Sequence, residues 1–383
     1  MSNSPIYNRI ATILEKRHHN GLFRHCAATT YSPPIRIECS TNSYLGLHAN
    51  SVVAAEALRL SGRQMHGNLA SRLIATTSDL YHQLEKEIAD WKKTETALVF
   101  NSGYAANIGV IQALCQRSTE VFCDRLNHAS IYDGIRLSGC RMVRYKHCDM
   151  TDLKQRLSAS KTTEKIIITD TVFSMDGDRA PLSDIAELAH SYNALVMVDE
   201  AHATGLFGAT GTGLVEATGT EDDIAIRMGT LSKSIAGLGG YVAVNDTLRD
   251  FFVNFSRSLI YSTGLPHSIL AHNCAAVRYI RANPHLGSEV LQGAEKMRED
   301  LKNLGCDTKS STTQIIPYSV KNEDDATSLS LFLRENGIKV PAILPPTVPA
   351  GTARLRFSWS SLITDEDRDT IISTLKKWRK THG

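Results

Sequence analysis

Along the middle of the chain, short apolar runs alternate with longer stretches of helical period. The runs at 96–102 (TALVFNS), 120–124 (EVFCD), 164–170 (EKIIITD), 194–200 (ALVMVDE), 223–230 (DIAIRMGT) and 239–245 (GGYVAVN) are rich in β-branched residues and bounded by polar ones. Near-continuous runs of this kind predict strands buried on both faces. Between them lie stretches such as 181–193 (PLSDIAELAHSYN), whose apolar residues recur at helical spacing. Strands alternating with helices predict an α/β fold, with a mostly parallel sheet of seven-stranded type between two helical layers.

After about residue 275 the pattern changes. Helical stretches at 294–305 and 325–337 alternate with short strand candidates at 313–320 (TQIIPYSV) and 353–360 (ARLRFSWS). That predicts a smaller C-terminal α+β domain over 276–383, after a large domain over 43–275 and an N-terminal helical segment over 1–42. In that first segment Ile10, Ile13 and Leu14 share one helical face, and Gly21 is its expected stop. At the other end, Thr364 and Asp367 form a box-like cap for a final helix with acids first and bases last.

Composition narrows the class. The chain has 383 residues, 42% hydrophobic and 21% charged, so it can bury a sizeable core. A net charge of +2, with both signs well mixed, argues against a nucleic-acid surface. The eight cysteines (26, 39, 115, 123, 140, 148, 274 and 306) form no CxxC pair and no zinc spacing. Reduced, core-filling thiols of a cytoplasmic protein are expected, and no metal. There is no unbroken apolar leader at the N-terminus and no run of about 18 apolar residues, so neither signal peptide nor membrane span is expected.

Chemistry is sought at the carboxyl ends of the strands, where open α/β sheets bind ligands. In 226–241 (IRMGTLSKSIAGLGGY) Lys233 is hemmed in by Ser, Gly and Ala. A lysine kept from bulk water has a lowered pKa, and its free amine can form a Schiff base with an aldehyde. Pyridoxal phosphate requires such a lysine, a carboxylate for its ring nitrogen and a cradle for its phosphate. Asp199 closes the run ALVMV, where a buried carboxylate needs a cation or backbone donors. His202 follows three residues on. Ser102, Gly103 and Tyr104 stand at a strand-to-helix junction suited to an anion, Thr230 offers a hydroxyl, and His128 offers a flat ring. The tetrad DEAH at 199–202 also invites a helicase reading, which fails because no GxxxxGK[ST] loop precedes it.

The motifs NSYLGL (42–47), NSGYAAN (101–107), DRLNHASIYDG (124–134), VFSMDGDRAPL (172–182), VDEAHATGLFG (198–208), GTLSK (229–233), YSTGLP (261–266) and PPTVPAGTARLR (345–356) carry a resemblance. Together they resemble the α-oxoamine synthase family of fold-type I pyridoxal-phosphate enzymes and span most of the chain. The resemblance implies Lys233 as the Schiff-base lysine and proton carrier, Asp199 at the pyridinium nitrogen, and His202 and Ser174 near the phenolic oxygen. It implies His128 stacked on the ring and acting in catalysis, and Ser102, Gly103, Tyr104 and Thr230 at the phosphate. Thr263 would reach in from the second subunit of a homodimer. Asn42 and Arg354 would bind the amino-acid carboxylate, and Arg24 the acyl substrate.

The stretch 345–356 is more similar to alanine-using members than to glycine-using ones. The expected reaction is the decarboxylative condensation of L-alanine with pimeloyl-CoA or pimeloyl-ACP, on the way to biotin. Sister activities with glycine or serine would use the same residues. A cofactor-free scaffold would not need the full lysine, aspartate and histidine set. Two stretches depart from the family pattern: Leu69, Ala70, Ala75 and Thr76, and Ser234-Ile235-Ala236 after the lysine, all where relatives are richer in glycine.

Overall fold

The computed structural model describes residues 4–19, 23, 34–62, 67–74, 78–320 and 322–382. Twelve strands occur among them: β1 (Ile37–Glu38), β2 (Thr96–Phe100), β3 (Glu120–Asp124), β4 (Arg141–Tyr145), β5 (Lys165–Asp170), β6 (Ala194–Asp199), β7 (Ile226–Thr230), β8 (Gly240–Val244), β9 (Ile315–Ser319), β10 (Ile338–Lys339), β11 (Ala342–Ile343) and β12 (Arg354–Ser358). Seven of them form one sheet in the order β2-β8-β7-β6-β5-β3-β4. Only β8 runs against its neighbours; the other pairs are parallel, as the apolar runs predict.

Successive strand residues point to opposite faces. Val99, Phe122, Ile167 and Val198 therefore join one buried cluster, and Leu98, Val121, Ile168 and Met197 join the other. Both faces being covered explains the lack of polar alternation in these strands. The edge strand β4 is not among the predicted ones. Its sequence RMVRY is interrupted by two arginines, and only Tyr145 in it is buried.

The smaller domain holds an antiparallel sheet, β11-β12-β9. Its final helix, Asp365–His382, starts with the expected box: Asp367 N–H donates to Thr364 Oγ1 at 3.1 Å, and Thr364 N–H to Asp367 Oδ2 at 2.9 Å. β1 pairs in parallel with β10, Ser358 N–H donates to Cys39 O at 2.9 Å, and Ser361 N–H to Tyr44 O at 2.8 Å. The predicted boundary at residue 42 thus falls inside a segment bound to the C-terminal domain. This contact is what brings Asn42 beside β12.

The helix Pro5–His19 has no buried residue, so its apolar face of Ile10, Ile13 and Leu14 lies open. The expected stop at Gly21 lies outside the described residues. No described helix is long and apolar enough to cross a membrane. Seven cysteines are free thiols, and Cys26 lies outside the described residues.

Glu200, next to Asp199, turns away into the core. Its Oε2 accepts from Lys92 Nζ at 2.7 Å, and both side chains are 1% exposed. Burial pulls the Lys92 amine down, but Glu200 and Tyr241 outweigh it and hold it above its usual value. Removing one member of such a pair strands the other charge. Lys92→Met is expected to lose about 3–5 kcal/mol of stability in denaturant unfolding. Lys92→Met/Glu200→Gln should regain most of it, and failure to do so would show that packing, not charge, sets the loss.

Candidate active site

The carboxyl ends of β2, β3, β5, β6 and β7 open onto one cleft. At the end of β2, Ser102 caps the helix Gly103–Leu114, its Oγ accepting from Ala105 N–H at 3.0 Å. The N–H groups of Gly103 and Tyr104, in the first turn, have no intrahelical acceptor and face an anion site with the helix dipole behind them. A Cβ on Gly240 would sit 2.6 Å from Ser102 O, and one on Gly103 3.0 Å from Met228 Cε. The loop can lie this close to β7 and β8 only without side chains there. Thr230 Oγ1 donates to Gly239 O at 3.0 Å and lies 2.9 Å from Ser232 Oγ. Tyr104 is exposed, and its hydroxyl donates to Asp133 Oδ2 at 2.5 Å.

Asp199 ends β6 in a dry position, 4% exposed. Ala201 N–H donates to its Oδ1 at 2.8 Å, and Asn107 Nδ2 to its Oδ2 at 2.8 Å. Lys233 is half-buried, and its amine makes no hydrogen bond among the described residues. Burial pushes its amine down to about 8, Asp199 and Asp170 opposing and Arg356 assisting. Asp170 lies opposite Asp199 in the β5–β6 register and accepts from His128 N–H at 2.7 Å. Its burial, with Asp199 alongside, holds the carboxyl well above the usual range.

His128 caps the helix Ala129–Ser138, and its ring is exposed to the cleft. Desolvation lowers its pKa, with Lys233 acting in the same sense and Asp199 against. His202 is buried, 2.6 Å through Nδ1 from the Tyr44 hydroxyl. Burial holds it well below its usual value, and the cations Lys233 and Arg356 push the same way, so it is neutral.

Arg354 is the arginine expected at the amino-acid carboxylate, and the structure gives its guanidinium other partners. Arg354 and Arg356 are two apart on β12 and share a face. Arg354 is spent elsewhere: Nη1 pairs with Asp176 and Nε donates to Thr352 O at 2.9 Å. Arg356 is the one aimed at the cleft. Its Nη2 donates to Asn42 Oδ1 at 3.2 Å, Nε to Ser174 O at 2.6 Å and Nη1 to Ser358 Oγ at 2.6 Å. Nε, Nη1 and Nη2 each spend one N–H in this way, and Nη1 and Nη2 each carry a second. Ser174 thus contributes its carbonyl to Arg356. Thr263 pairs with Ser71, and its carbonyl accepts from the Asn101 amide, beside the loop at Ser102. Arg24 lies outside the described residues, as do Ala75 and Thr76.

Asn107 and Tyr44 were not anticipated. Both lie in quoted motifs, and Asn107 is four residues after Gly103, hence on the same helix face. Ala236 explains one departure from the family: its φ is +58°, a left-handed conformation that favours glycine.

A second polar cluster lies behind β3. Asp124 Oδ1 is 3.0 Å from His147 Nδ1, and Asp178 Oδ2 is 2.6 Å from Nε2, with Cys148 alongside. Burial pulls His147 down, but the two carboxylates outweigh it and push it up to about 12. A ring donating from both nitrogens is a cation and not a metal ligand. The triad clamps the loop after β5 that carries Ser174 and Asp176.

Pyridoxal phosphate fits this cleft. A buried carboxylate suits its ring nitrogen, an uncommitted amine its aldehyde, and a glycine-lined helix start its phosphate. The model of the aminotransferase class I and II family matches residues 35–375. A putative 8-amino-7-oxononanoate synthase of Geobacillus kaustophilus is 44% identical over 88% of this chain and 87% of its own. The 8-amino-7-oxononanoate synthase of Trichlorobacter lovleyi is 42% identical over 90% of each chain. Among solved structures, a serine palmitoyltransferase carrying pyridoxal phosphate superposes with a TM-score of 0.88, at 28% identity and 96% coverage of both chains. Pyridoxal phosphate is therefore the cofactor, and the chain belongs to the aminotransferase class I and II family, in its α-oxoamine synthase branch.

Proposed function

We propose that this enzyme condenses L-alanine with a pimeloyl thioester, pimeloyl-CoA or pimeloyl-ACP, releasing the thiol and CO2 and forming 8-amino-7-oxononanoate for biotin. The observation that carries this reading is the 42–44% identity to relatives of that name over about nine-tenths of the chain. The same reading takes the enzyme as a cytoplasmic homodimer in which Thr263 serves the neighbouring subunit.

When bound, pyridoxal phosphate supplies an aldehyde for the amine and an electron-withdrawing ring. The chain's residues do the rest. Arg356 and Asn42 hold the alanine carboxylate, fixing which bond at Cα is presented. Lys233, with its amine near 8, takes the Cα proton and later returns one. Asp199, held by two N–H donors, would pair with the cofactor's ring nitrogen and hold a proton there. Gly103, Tyr104, Ser102 and Thr230 would hold the phosphate, and His202, whose Nδ1 meets the Tyr44 hydroxyl, would serve the phenolic oxygen. His128 is placed to donate to the thioester or ketone oxygen.

The test is a substrate panel. Purified holoenzyme is given alanine, glycine or serine with pimeloyl-CoA, pimeloyl-ACP or palmitoyl-CoA, and products are read by mass spectrometry. Alanine with a pimeloyl thioester should exceed every other pair by at least about 100-fold in kcat/KM. A preference for serine with palmitoyl-CoA would move the enzyme to the sister activity that the solved neighbour represents.

A further inference from the structure

A single file of hydrogen bonds joins the two sides of the cleft. Asn107 Nδ2 lies 2.8 Å from Asp199 Oδ2 and 2.9 Å from Ser130 Oγ, and Ser130 Oγ lies 2.7 Å from His128 Nδ1. Asn107 and Ser130 are fully buried. We propose that Asn107 and Ser130 are positioning residues that lock the His128 ring in the tautomer carrying its proton on Nε2.

The direction of each bond follows from its ends. The Asp199 carboxylate only accepts, so Asn107 must present its NH2 group to it. The second hydrogen of that group goes to Ser130 Oγ, which leaves the hydroxyl's own hydrogen for His128 Nδ1. A second contact favours the same end, but it is too long to hold the ring without the Ser130 hydroxyl. Ser130 N–H donates to His128 Nδ1 at 3.3 Å, and a backbone N–H can only donate. Nδ1 thus receives two donors and can carry no proton.

The proton of the neutral ring must sit on Nε2, which has no hydrogen-bond partner among the described residues. The His128 backbone is held as well, by Asp170. A histidine so constrained donates from Nε2 at every turnover without first exchanging tautomers. The consequence for catalysis rests on the donor role proposed for His128, whereas the tautomer itself does not.

The experiment is nitrogen NMR of cofactor-loaded protein labelled with 15N-histidine, with His128 identified by the signals missing in His128→Asn. Wild type should show His128 protonated at Nε2 alone. Ser130→Ala should bring in the second tautomer and lower kcat about 10-fold, with KM for the amino acid changed less than about 2-fold. Ser130→Thr should restore both. A proton on Nδ1 in wild type overturns the proposal, as does a Ser130→Ala enzyme with the wild-type tautomer, whatever its kcat. If Ser130→Ala does not fold, the wild-type spectrum still decides. Failure of the alanine and pimeloyl panel would leave this spectrum unchanged, so the two readings fail separately.

Discussion

Lys233→Ala is expected to lower turnover by about 10^3–10^4-fold while leaving the fold intact. In the proposed mechanism this residue gives both the covalent attachment point and the base. Borohydride reduction of wild-type holoenzyme should leave the cofactor mass on the peptide bearing Lys233, and none in the variant. The amine sits near 8 because burial disfavours its charged form more than Asp199 and Asp170 favour it. Only the neutral amine attacks an aldehyde. Uptake of pyridoxal phosphate by the apoprotein should therefore rise about 10-fold from pH 7 to pH 9, then flatten.

The stability sign runs the other way from a salt bridge. The folded pKa lies below the unfolded value of about 10.4, so the unfolded chain holds more protons between about pH 8 and pH 10.4. Stability contributed by this group rises with pH across that window, and below it the charged lysine is a constant cost. The apo variant should accordingly melt no more than about 2 °C below wild type. A large loss of Tm would mean that Lys233 is structural.

Arg356→Ala should raise KM for the amino acid about 100-fold, the worth of a charge-assisted pair of roughly 3 kcal/mol. Arg354→Ala should change KM by less than about 5-fold, its cost appearing in stability because Asp176 loses its partner. The two arginines are separated by one residue, so the pair of variants is a direct contest between them. Equal effects on KM would remove the assignment to Arg356. Arg356→Lys should recover little, since a point charge cannot reproduce a guanidinium already divided between Ser174, Ser358 and Asn42.

These arginines show where sequence stops being informative. The buried strands were legible because both of their faces are dry, which forces uninterrupted apolar runs. Strand β4 was not, because an edge strand tolerates arginines and reads as polar. The residues proposed for the cofactor stand out because each follows an apolar run, where an isolated lysine, aspartate or histidine has to be explained. On β12, by contrast, the two-residue period puts Arg354 and Arg356 on one face, and nothing local ranks them. Asp176, brought from 178 residues away, takes one and leaves the other for the cleft.

The hydrogen-bond file to His128 has the same character. Asn107, Ser130 and Asp199 come from two helices and a strand, and their bond directions exist only once the three side chains are within 3 Å of one another. By itself the sequence determined the layered α/β fold, the strand ends that carry chemistry and the cofactor they suit, because burial and period act locally. Which arginine faces the substrate, how low the Lys233 amine falls and which nitrogen of His128 holds the proton were left to the tertiary structure, because charge, desolvation and hydrogen-bond direction depend on neighbours far apart in the chain.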